Sequence, residues 1–247
     1  MIVGSGLMAR TFARFSQARD ILIFASGVSN SLARDAVQFD RERRLLERVR
    51  SEHRPALLVY FSSCSIYDPD RIDTPYVRHK LEMESLLAAM GGDYLILRLP
   101  LVIGHSDHAT TLPHVLCSRI LSGEPFEVWT RAVRYPIDAD DVARIAERLL
   151  CNPSLKRCRI NLALRSYRVM DFVNAMEQVL GRRANVQLVD KGSPFRLSCP
   201  EVQSLASELA LDYSEAYLPR VLHKYFHAFA PGERVTDDRP QRSFGSA

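Results

Sequence analysis

The sequence predicts an α/β fold in which helices cover both faces of a parallel sheet. Short apolar segments of strand character alternate along the chain with segments of helical periodicity, and a glycine turn links the first strand to the first helix. The strand candidates are Met1–Val3, Ile21–Ala25, Ala56–Phe61, Tyr94–Arg98, Arg159–Leu162 and Val186–Val189. Four helix candidates carry apolar residues at i, i+3, i+4 and i+7, namely Met83, Leu86, Leu87 and Met90; Val142, Ile145, Ala146 and Leu149; Val169, Phe172, Val173 and Met176; and Leu218, Val221, Leu222 and Tyr225.

The first strand is followed by the motif Gly4-x-Gly6-x-x-Ala9 and then by a helix pattern. Glycines at these positions allow a tight turn and let the backbone approach a pyrophosphate at a helix N-terminus. An ordinary glycine-containing turn is the alternative. The strand before the motif and the helix after it favour the nucleotide interpretation.

The third strand leads into a hydroxyl-rich turn, Ser62–Tyr67, and a Tyr76-x-x-x-Lys80 pair then begins a helix. Positions i and i+4 lie on one helix face, so the phenol and the ammonium point the same way. A nearby cation favours the phenolate and lowers a tyrosine pKa. Such a phenol can exchange a proton with a sugar or alcohol oxygen, and a neighbouring serine hydroxyl can bind the same oxygen. These groups are the ones that hydride transfer at a carbonyl requires.

The later elements have their own boundary signals. Gly91-Gly92 is expected to end the helix that Tyr76 begins. Asp138, Asp140 and Asp141 can cap the helix that follows them. We expect residues 1–150 to form a dinucleotide-binding domain, residues 151–230 a small substrate lobe interleaved with it, and the polar residues 231–247 a loose tail.

Composition narrows the function classes. The 247 residues, 47% of them hydrophobic, suffice for one large α/β domain with a small lobe. A net charge of +4 suits a phosphate-bearing small molecule but not a nucleic-acid surface, and the alternating arginines and glutamates of residues 41–54 indicate a solvated helix face. No apolar run approaches the ~18 residues of a membrane span, no signal peptide precedes the first strand, and five cysteines without a Cys-x-x-Cys pair predict a cytoplasmic location.

The histidines and Cys64 raise two other kinds of site, a metal site and a thiol nucleophile. His105, His108 and His114 share one loop, but a metal site needs converging ligands, so no metal is predicted. The pair His223 and His227 lacks the glutamate of a His-Glu-x-x-His motif. Cys64 allows a thiol-nucleophile interpretation, which the Tyr76–Lys80 pair makes unnecessary.

Six segments, in order, resemble the extended short-chain dehydrogenase/reductase family in its nucleotide-sugar epimerase/dehydratase branch. The segments are Gly4-x-Gly6-x-x-Ala9, Phe24–Gly27, Ser62–Tyr67, Tyr76-x-x-x-Lys80, Leu97–Gly104 and Arg134–Ala143. The resemblance runs from residue 1 to about residue 229. It implies a Rossmann-like doubly wound sheet, with fewer strands than usual, and a small α-rich lobe over the substrate.

The resemblance also implies roles for individual residues. Tyr76 would be the catalytic acid/base, Lys80 would lower its pKa and bind the nicotinamide ribose, and Ser63 would be the hydroxyl partner. The residues implied to bind NAD or NADP are Gly4, Gly6, Leu7, Met8, Ala25, Ser26, Gly27, Ser62, Tyr76, Lys80 and Pro100. The residues implied to contact substrate are Cys64, Ser65, Leu101 and Arg134.

The chain departs from the family's pattern in two places. Cys64 and Ser65 stand where sugar 4,6-dehydratases carry Asp-Glu, which argues against a dehydratase and leaves reductase or epimerase chemistry open. Only eleven residues separate Ala9 from Ile21, where the family places two further strands and the acid that binds the adenosine ribose. Either cofactor binds weakly, or a partner completes the site, or the protein binds a nucleotide without turnover.

The function expected from the sequence is NAD(P)-dependent oxidoreduction or epimerisation of a sugar nucleotide, in surface polysaccharide synthesis. The alternatives are a non-catalytic nucleotide-binding or regulatory protein on the same scaffold and a reductase of a small non-sugar carbonyl compound. In the resembled family two helices form a dimer contact, so we expect a homodimer. Its apolar material here would be Leu45, Leu46 and Val49 with Met83, Leu87 and Met90.

Overall fold

The computed structural model describes residues 1–18, 20–105, 110–152 and 154–230. The strands of the described residues are β1 (Ile2–Val3), β2 (Ile21–Phe24), β3 (Leu57–Ser63), β4 (Tyr94–Leu99), β5 (Leu101–Ile103), β6 (Phe126–Trp129), β7 (Val133–Arg134), β8 (Pro136–Asp138), β9 (Cys158–Asn161), β10 (Tyr167–Arg168) and β11 (Val186–Val189). The α-helices are α1 (Leu7–Thr11), α2 (Ala36–Glu52), α3 (Pro75–Ala89), α4 (Leu112–Ser122), α5 (Ala139–Leu150), α6 (Val169–Leu180), α7 (Pro200–Glu208) and α8 (Tyr217–Phe226). The predicted tail, 231–247, and His108 lie outside the described residues.

The central sheet has five parallel strands in the order β1-β2-β3-β4-β9, which confirms the predicted α/β class. Alternating side chains supply two cores. Phe24 and Tyr60 face one side with α2 and α3, and Ile23 and Val59 face the other side, which packs against α5 and the C-terminal helices. Burial on both faces explains why these strands are almost wholly apolar.

The strand order runs one way through the sheet, without the reversal that a doubly wound sheet has at its switch point. The Rossmann-like sheet is therefore present with β1 as an edge strand, and the strands that would lie beyond β1 are absent from the described residues. The cause is the short segment before β2, whose described residues form only the five-residue α1 and a 3-10 helix at Ala13–Gln17. The eleven-residue spacing after Ala9 already predicted this shortage of strands.

The first connection of the sheet has the opposite hand to the next two. The steps β1 to β2, β2 to β3 and β3 to β4 all go the same way. The first passes over the face where Phe12 packs on Phe61, with ring centroids 5.1 Å apart, whereas α2 and α3 cover the other face. About 98% of such connections are right-handed. If α2 and α3 follow that rule, the β1–α1–β2 unit is left-handed.

The part of the chain after β9 is mainly helical and is not separate from the sheet. Phe172, Val221 and Leu222 belong to the same buried cluster as Ile23 and Val59. The strand predicted at Val186–Val189 is present as β11, but it pairs with β6 outside the central sheet. Within the described residues, no helix is long and apolar enough to cross a membrane.

Candidate functional site

The predicted site residues gather at one edge of the central sheet. Because β1 to β4 are parallel, their carboxyl ends meet at this edge, where open α/β sheets bind ligands. The residues lie as follows: Gly4 and Gly6 after β1, Ala25, Ser26 and Gly27 after β2, Ser62 and Ser63 at the end of β3 with Cys64 and Ser65 next to them, and Pro100 and Leu101 after β4. Leu7 and Met8 form the first turn of α1.

The two glycines of the first turn have different structural roles. Gly4 has φ +130°, and a Cβ there would lie 2.3 Å from the carbonyl oxygen of Ala25. A side chain at Gly4 would therefore prevent β1 and the end of β2 from packing. Gly6 has an ordinary φ of −72°, and no atom lies within 4 Å of its would-be Cβ. Its backbone is thus open to a ligand.

This difference gives a stability prediction. Gly4→Ala should destabilise the fold by about 2 kcal/mol or more, because alanine meets both the φ penalty and the Ala25 carbonyl. Gly6→Ala should leave stability unchanged or slightly raised, because its backbone conformation suits alanine. Urea unfolding followed by circular dichroism measures both. Equal losses of stability in the two variants would contradict the geometry.

Tyr76 and Lys80 lie on the buried face of α3. The helix begins at Pro75, and the Thr74 side chain caps it by accepting a hydrogen bond from the Val77 amide, 3.3 Å. Tyr76 is 5% exposed and Lys80 is 2% exposed. The Lys80 Nζ lies 5.8 Å from the centroid of the Tyr76 ring. The capped start of α3 therefore places both side chains in the protein interior, on the helix that follows β3.

The Lys80 ammonium is paired with a buried carboxylate. Its Nζ donates to Glu42 Oε1 at 3.0 Å and to the Tyr60 hydroxyl at 3.2 Å. Glu42 is fully buried. Burial alone would raise its pKa, but the charge of Lys80 and hydrogen bonds from His79, Tyr60 and the Val28 amide lower the pKa of Glu42 to about 2. Glu42 is therefore an ionised partner of Lys80.

The interpretation of residues 41–54 as a solvated helix face is wrong at Glu42. Arg41 and Arg43 are exposed, but Glu42 points into the protein on the same stripe as Leu46 and Val49. Its separation of four and seven residues from those apolar positions was the available signal. Gly27 covers the resulting cluster, because a Cβ at Gly27 would lie 2.8 Å from Glu42 Oε1 and 2.9 Å from Lys80 Nζ.

The serines of the hydroxyl-rich turn have local partners. Ser63 Oγ accepts a hydrogen bond from the Ser65 amide at 3.1 Å, which leaves its O–H free to donate elsewhere. Ser62 Oγ instead donates to Glu84 Oε1 at 2.6 Å. Among the described residues, the Ser63 O–H therefore has no acceptor, whereas the Ser62 O–H is bound to Glu84.

Glu84 is the centre of a second buried cluster. It accepts two hydrogen bonds from Arg98, at 2.9 and 2.7 Å, and one from Arg159 Nε at 3.0 Å. Burial would raise its pKa, but the hydrogen bonds of Arg98 and Ser62 and the charges of both arginines lower it below its usual range. This cluster ties α3 to β3, β4 and β9.

The residues expected to contact substrate are buried or partly buried, and some of them are bound to other groups of the protein. Cys64 is buried, its Sγ donates to the Arg98 carbonyl at 3.2 Å, and burial raises the pKa of the thiol far above its usual value. Such a thiol stays protonated, which argues against a thiol nucleophile. Arg134 lies 3.4 Å from Asp68, and its burial lowers its pKa. Leu101 is partly buried in β5, which pairs with β8.

The histidines considered for a metal site have other neighbours. His105 makes an edge contact with Tyr225, and His114 Nδ1 lies 2.7 Å from Thr111 Oγ1. His223 and His227 stack on each other with centroids 5.1 Å apart. Across the described ranges, no group of three or more histidine, cysteine, aspartate or glutamate side chains is arranged to hold a metal ion.

Comparison with known proteins identifies a family match and a set of similar folds. A model described as "NAD dependent epimerase/dehydratase family" matches residues 5–163, more than half of the chain. No curated protein matches. The fold is similar to that of the UDP-glucuronic acid 4-epimerase from Bacillus cereus in complex with UDP-glucuronic acid and NAD. The TM-score is 0.68, with 16% identity over 91% of this chain and 79% of that one.

Two further solved structures show the same likeness. The UDP-glucose 4-epimerase complex with NAD from Thermus thermophilus aligns with a TM-score of 0.64 and 19% identity, over 87% of this chain and 80% of that one. The UDP-N-acetylglucosamine 4-epimerase from Methanobrevibacter ruminantium, in complex with UDP-N-acetylmuramic acid, aligns with a TM-score of 0.65 and 17% identity, over 93% and 82%. At these identities the likeness establishes the fold.

Proposed function

Because the chain belongs to the NAD-dependent epimerase/dehydratase family, we propose that it is an NAD(P)-dependent oxidoreductase or epimerase acting on a sugar nucleotide. The observation that carries this proposal is the position of Tyr76, Lys80 and Ser63 at the carboxyl edge of the sheet, beside the open glycine turn. Solved structures of similar fold are UDP-sugar 4-epimerases in complex with NAD, which supports both the cofactor and the substrate class.

The residues present fit the pyrophosphate and nicotinamide portions of such a cofactor. The open space at Gly6 admits a phosphate, and Leu7, Met8 and the strand-end residues Ala25, Ser26 and Pro100 would line the same cleft. Lys80 uses two of its three N–H donors on Glu42 and Tyr60, so one stays available for a ribose hydroxyl. The bound nicotinamide would supply the hydride acceptor or donor. On the adenosine side β1 is the edge strand, so we expect weak binding.

The chain's own groups would move the proton and hold the reacting oxygen. As the phenolate, Tyr76 would take the proton from a sugar hydroxyl, and as the phenol it would return a proton to the carbonyl oxygen. Ser63 would donate its O–H to that oxygen, since its lone pair already accepts from the Ser65 amide. Cys64 and Ser65 supply no acid–base pair for removing water. This favours reductase or epimerase chemistry over 4,6-dehydration.

We also propose that the sugar nucleotide binds between the sheet edge and residues 151–230. A shallow groove lies within residues 151–230 and offers a candidate surface on that side of the site. Its lining residues are Leu164, Arg165, Leu211, Asp212, Tyr213 and Ser214.

Five cysteines without a disulfide fit a reducing cytoplasm, where a role in surface polysaccharide synthesis would begin.

Two observations favour a second function, that of a non-catalytic nucleotide-binding or regulatory protein. Lys80 is buried and paired with Glu42, and among the described residues no strand lies beyond β1 in the sheet. A binding protein needs neither a free lysine nor full adenosine contacts. Assays with UDP-sugars and with small non-sugar carbonyl compounds, each with NAD(H) or NADP(H), separate the two. Turnover of any of them that Tyr76→Phe abolishes would exclude the binding-only function.

Cofactor binding gives a direct prediction. NAD(H) or NADP(H) should stabilise the protein by about 1.4 kcal/mol when free cofactor is at about ten times its Kd, because the ligand binds only the folded state. The thermal midpoint should therefore rise by several degrees or less in differential scanning fluorimetry. Gly6→Ala, whose own stability should be unchanged or slightly raised, should show a smaller rise, because its Cβ occupies the phosphate approach. No rise with any of the four dinucleotides at millimolar concentration would contradict the proposal.

We propose a homodimer through α2 and α3, although most of the apolar residues expected at the contact lie in the core. Of the apolar residues expected at the contact, Leu46, Val49, Met83 and Leu87 are buried in the core of the single chain. The outer face of α3 still exposes Leu81, at 41%. Light scattering at micromolar concentration should give about twice the 28.0 kDa of the chain. A mass near 28.0 kDa would overturn the dimer, and Leu81→Glu should shift a dimer toward that value.

A further inference from the structure

Glu42 is the most deeply buried charge next to the proposed catalytic pair. It is fully buried and accepts four hydrogen bonds, which come from the Val28 amide at 2.6 Å, the Tyr60 hydroxyl at 2.6 Å, His79 Nε2 at 2.9 Å and Lys80 Nζ at 3.0 Å. A carboxylate offers about four lone-pair positions. All of them are therefore occupied, and the carboxylate has one fixed orientation.

The charged and titratable groups around the Tyr76–Lys80 pair come from three elements. They are Glu42 from α2, Tyr60 from β3, and His79 and Glu84 from α3. Glu84 is neutralised by Arg98 and Arg159. His79 stacks on Phe39 with centroids 4.4 Å apart and also contacts Glu42. Glu42 is therefore the one carboxylate of this set that contacts Lys80 directly.

We propose that Glu42 is a positioning residue, whose carboxylate holds the Lys80 ammonium beside Tyr76 and makes the Tyr76–Lys80–Glu42 group electrically neutral. A bare lysine would leave this buried group with a net positive charge. Because two interacting groups titrate as a unit, the negative charge of Glu42 makes the first proton of the Tyr76–Lys80 pair harder to remove, whichever of the two releases it. The inference rests on the proposed function for its effect on turnover, but its effect on titration does not.

The segment that covers this cluster also lies in the proposed cofactor cleft. Gly27 leaves less than 3 Å between its would-be Cβ and both charged atoms, and the next amide, from Val28, donates to Glu42. Glu42 thus connects the loop after β2 to the catalytic helix. A ligand that moves this loop would change how Lys80 is held.

The test is a titration of the protein without any ligand. Phenolate formation is followed by ultraviolet difference spectroscopy, and the Tyr76→Phe protein in each background gives the signal of the other eight tyrosines. The Glu42→Gln protein should release the first proton of the pair at a pH lower by about 1 unit or more. Where Lys80 rather than Tyr76 releases it, the same shift appears in an NMR titration of the Lys80 Nζ nitrogen. A midpoint that stays or rises would overturn the proposal.

Two further variants keep the test decisive. Glu42→Asp retains the charge but withdraws it from Lys80, so its midpoint should fall between those of the wild type and Glu42→Gln. If Glu42→Gln does not fold, Glu42→Asp carries the test alone, and an unchanged midpoint counts against the proposal. Glu84→Gln removes a comparably buried carboxylate that contacts Arg98 and Arg159 instead of Lys80, so it should lose stability and shift the midpoint less than Glu42→Gln does.

Activity is the second measurement, and it distinguishes a failure of the proposed function from a failure of the proposed role of Glu42. In the oxidative direction, the limb of the rate–pH profile on which activity rises should move to lower pH in Glu42→Gln, by the shift seen in the titration. If the titration moves and no substrate is ever turned over, the role of Glu42 stands and the proposed function fails. If turnover occurs with an unmoved limb and an unmoved titration, the proposed function stands and the role of Glu42 fails.

Discussion

Replacing Tyr76 by phenylalanine is expected to lower kcat by roughly 10²–10⁴-fold, the usual contribution of a positioned acid/base. The phenylalanine keeps the buried ring. Among the described residues, the Tyr76 hydroxyl makes no hydrogen bond within the protein, so its removal should cost little stability. The measurement is steady-state turnover of whichever sugar nucleotide or carbonyl compound proves to be the substrate, with unfolding in urea as the check on the fold.

The neighbouring substitutions distinguish this site from other chemistry. Ser63→Ala should lower the rate by roughly tenfold or less, since one neutral hydrogen bond to the substrate is lost. Cys64→Ala should leave turnover nearly unchanged, because the thiol is buried and protonated. Loss of activity in Cys64→Ala together with full activity in Tyr76→Phe would assign the site to a different chemistry on this fold.

Lys80 cannot be tested by a single truncation in the same way. Lys80→Ala removes the cation from a fully buried Glu42, and an unpaired buried carboxylate destabilises a protein by about 3–5 kcal/mol. A rate measured on that variant would mix catalysis with folding. The double variant Lys80→Met with Glu42→Gln removes both charges and should recover much of the stability, and its lower rate would then report the loss of the ammonium.

The framework of the fold could be predicted because its signals are local. The strands β2, β3 and β4 are runs of apolar residues between turn signals, and the helices α3, α5, α6 and α8 carry one regular apolar stripe each. The caps agree as well, since Asp138 accepts a hydrogen bond from the Asp140 amide at 3.0 Å. Local propensity and tertiary packing point the same way in these elements, so the sequence alone identifies them.

The buried charges could not be predicted with the same ease, because they depend on contacts between residues far apart in the chain. Glu42 meets Lys80 across 38 positions, and Arg159 meets Glu84 across 75. In the sequence, Glu42 stands among arginines that are exposed, so the composition of this segment predicts a solvent-exposed position for Glu42. Only its phase relative to Leu46 and Val49 places it inside. The hand of the first connection likewise depends on which face of the sheet that connection packs against.

Breaking the Glu84 cluster is expected to have a large effect on stability, comparable with that of leaving Glu42 unpaired. Glu84→Ala leaves Arg98 and Arg159 without their carboxylate and Ser62 without its acceptor. Removing one member of a buried ion pair costs about 3–5 kcal/mol. Urea unfolding at neutral pH measures the loss. Glu208→Ala is the matched control, because Glu208 pairs with Arg148 on the surface at 3.7 Å and such exposed pairs contribute little.

The same cluster should make the wild-type protein sensitive to acid. The pKa of Glu84 lies lower in the folded chain than its ordinary value of about 4.3, which applies in the unfolded chain. Its contribution to stability is therefore complete above that value and is lost as pH falls through the folded pKa. Between about pH 6 and about pH 3, the wild type should therefore lose stability more steeply than Glu84→Ala, which has no carboxyl group to protonate at this position. Parallel losses in the two proteins would show that Arg98 and Arg159 do not depend on an ionised Glu84.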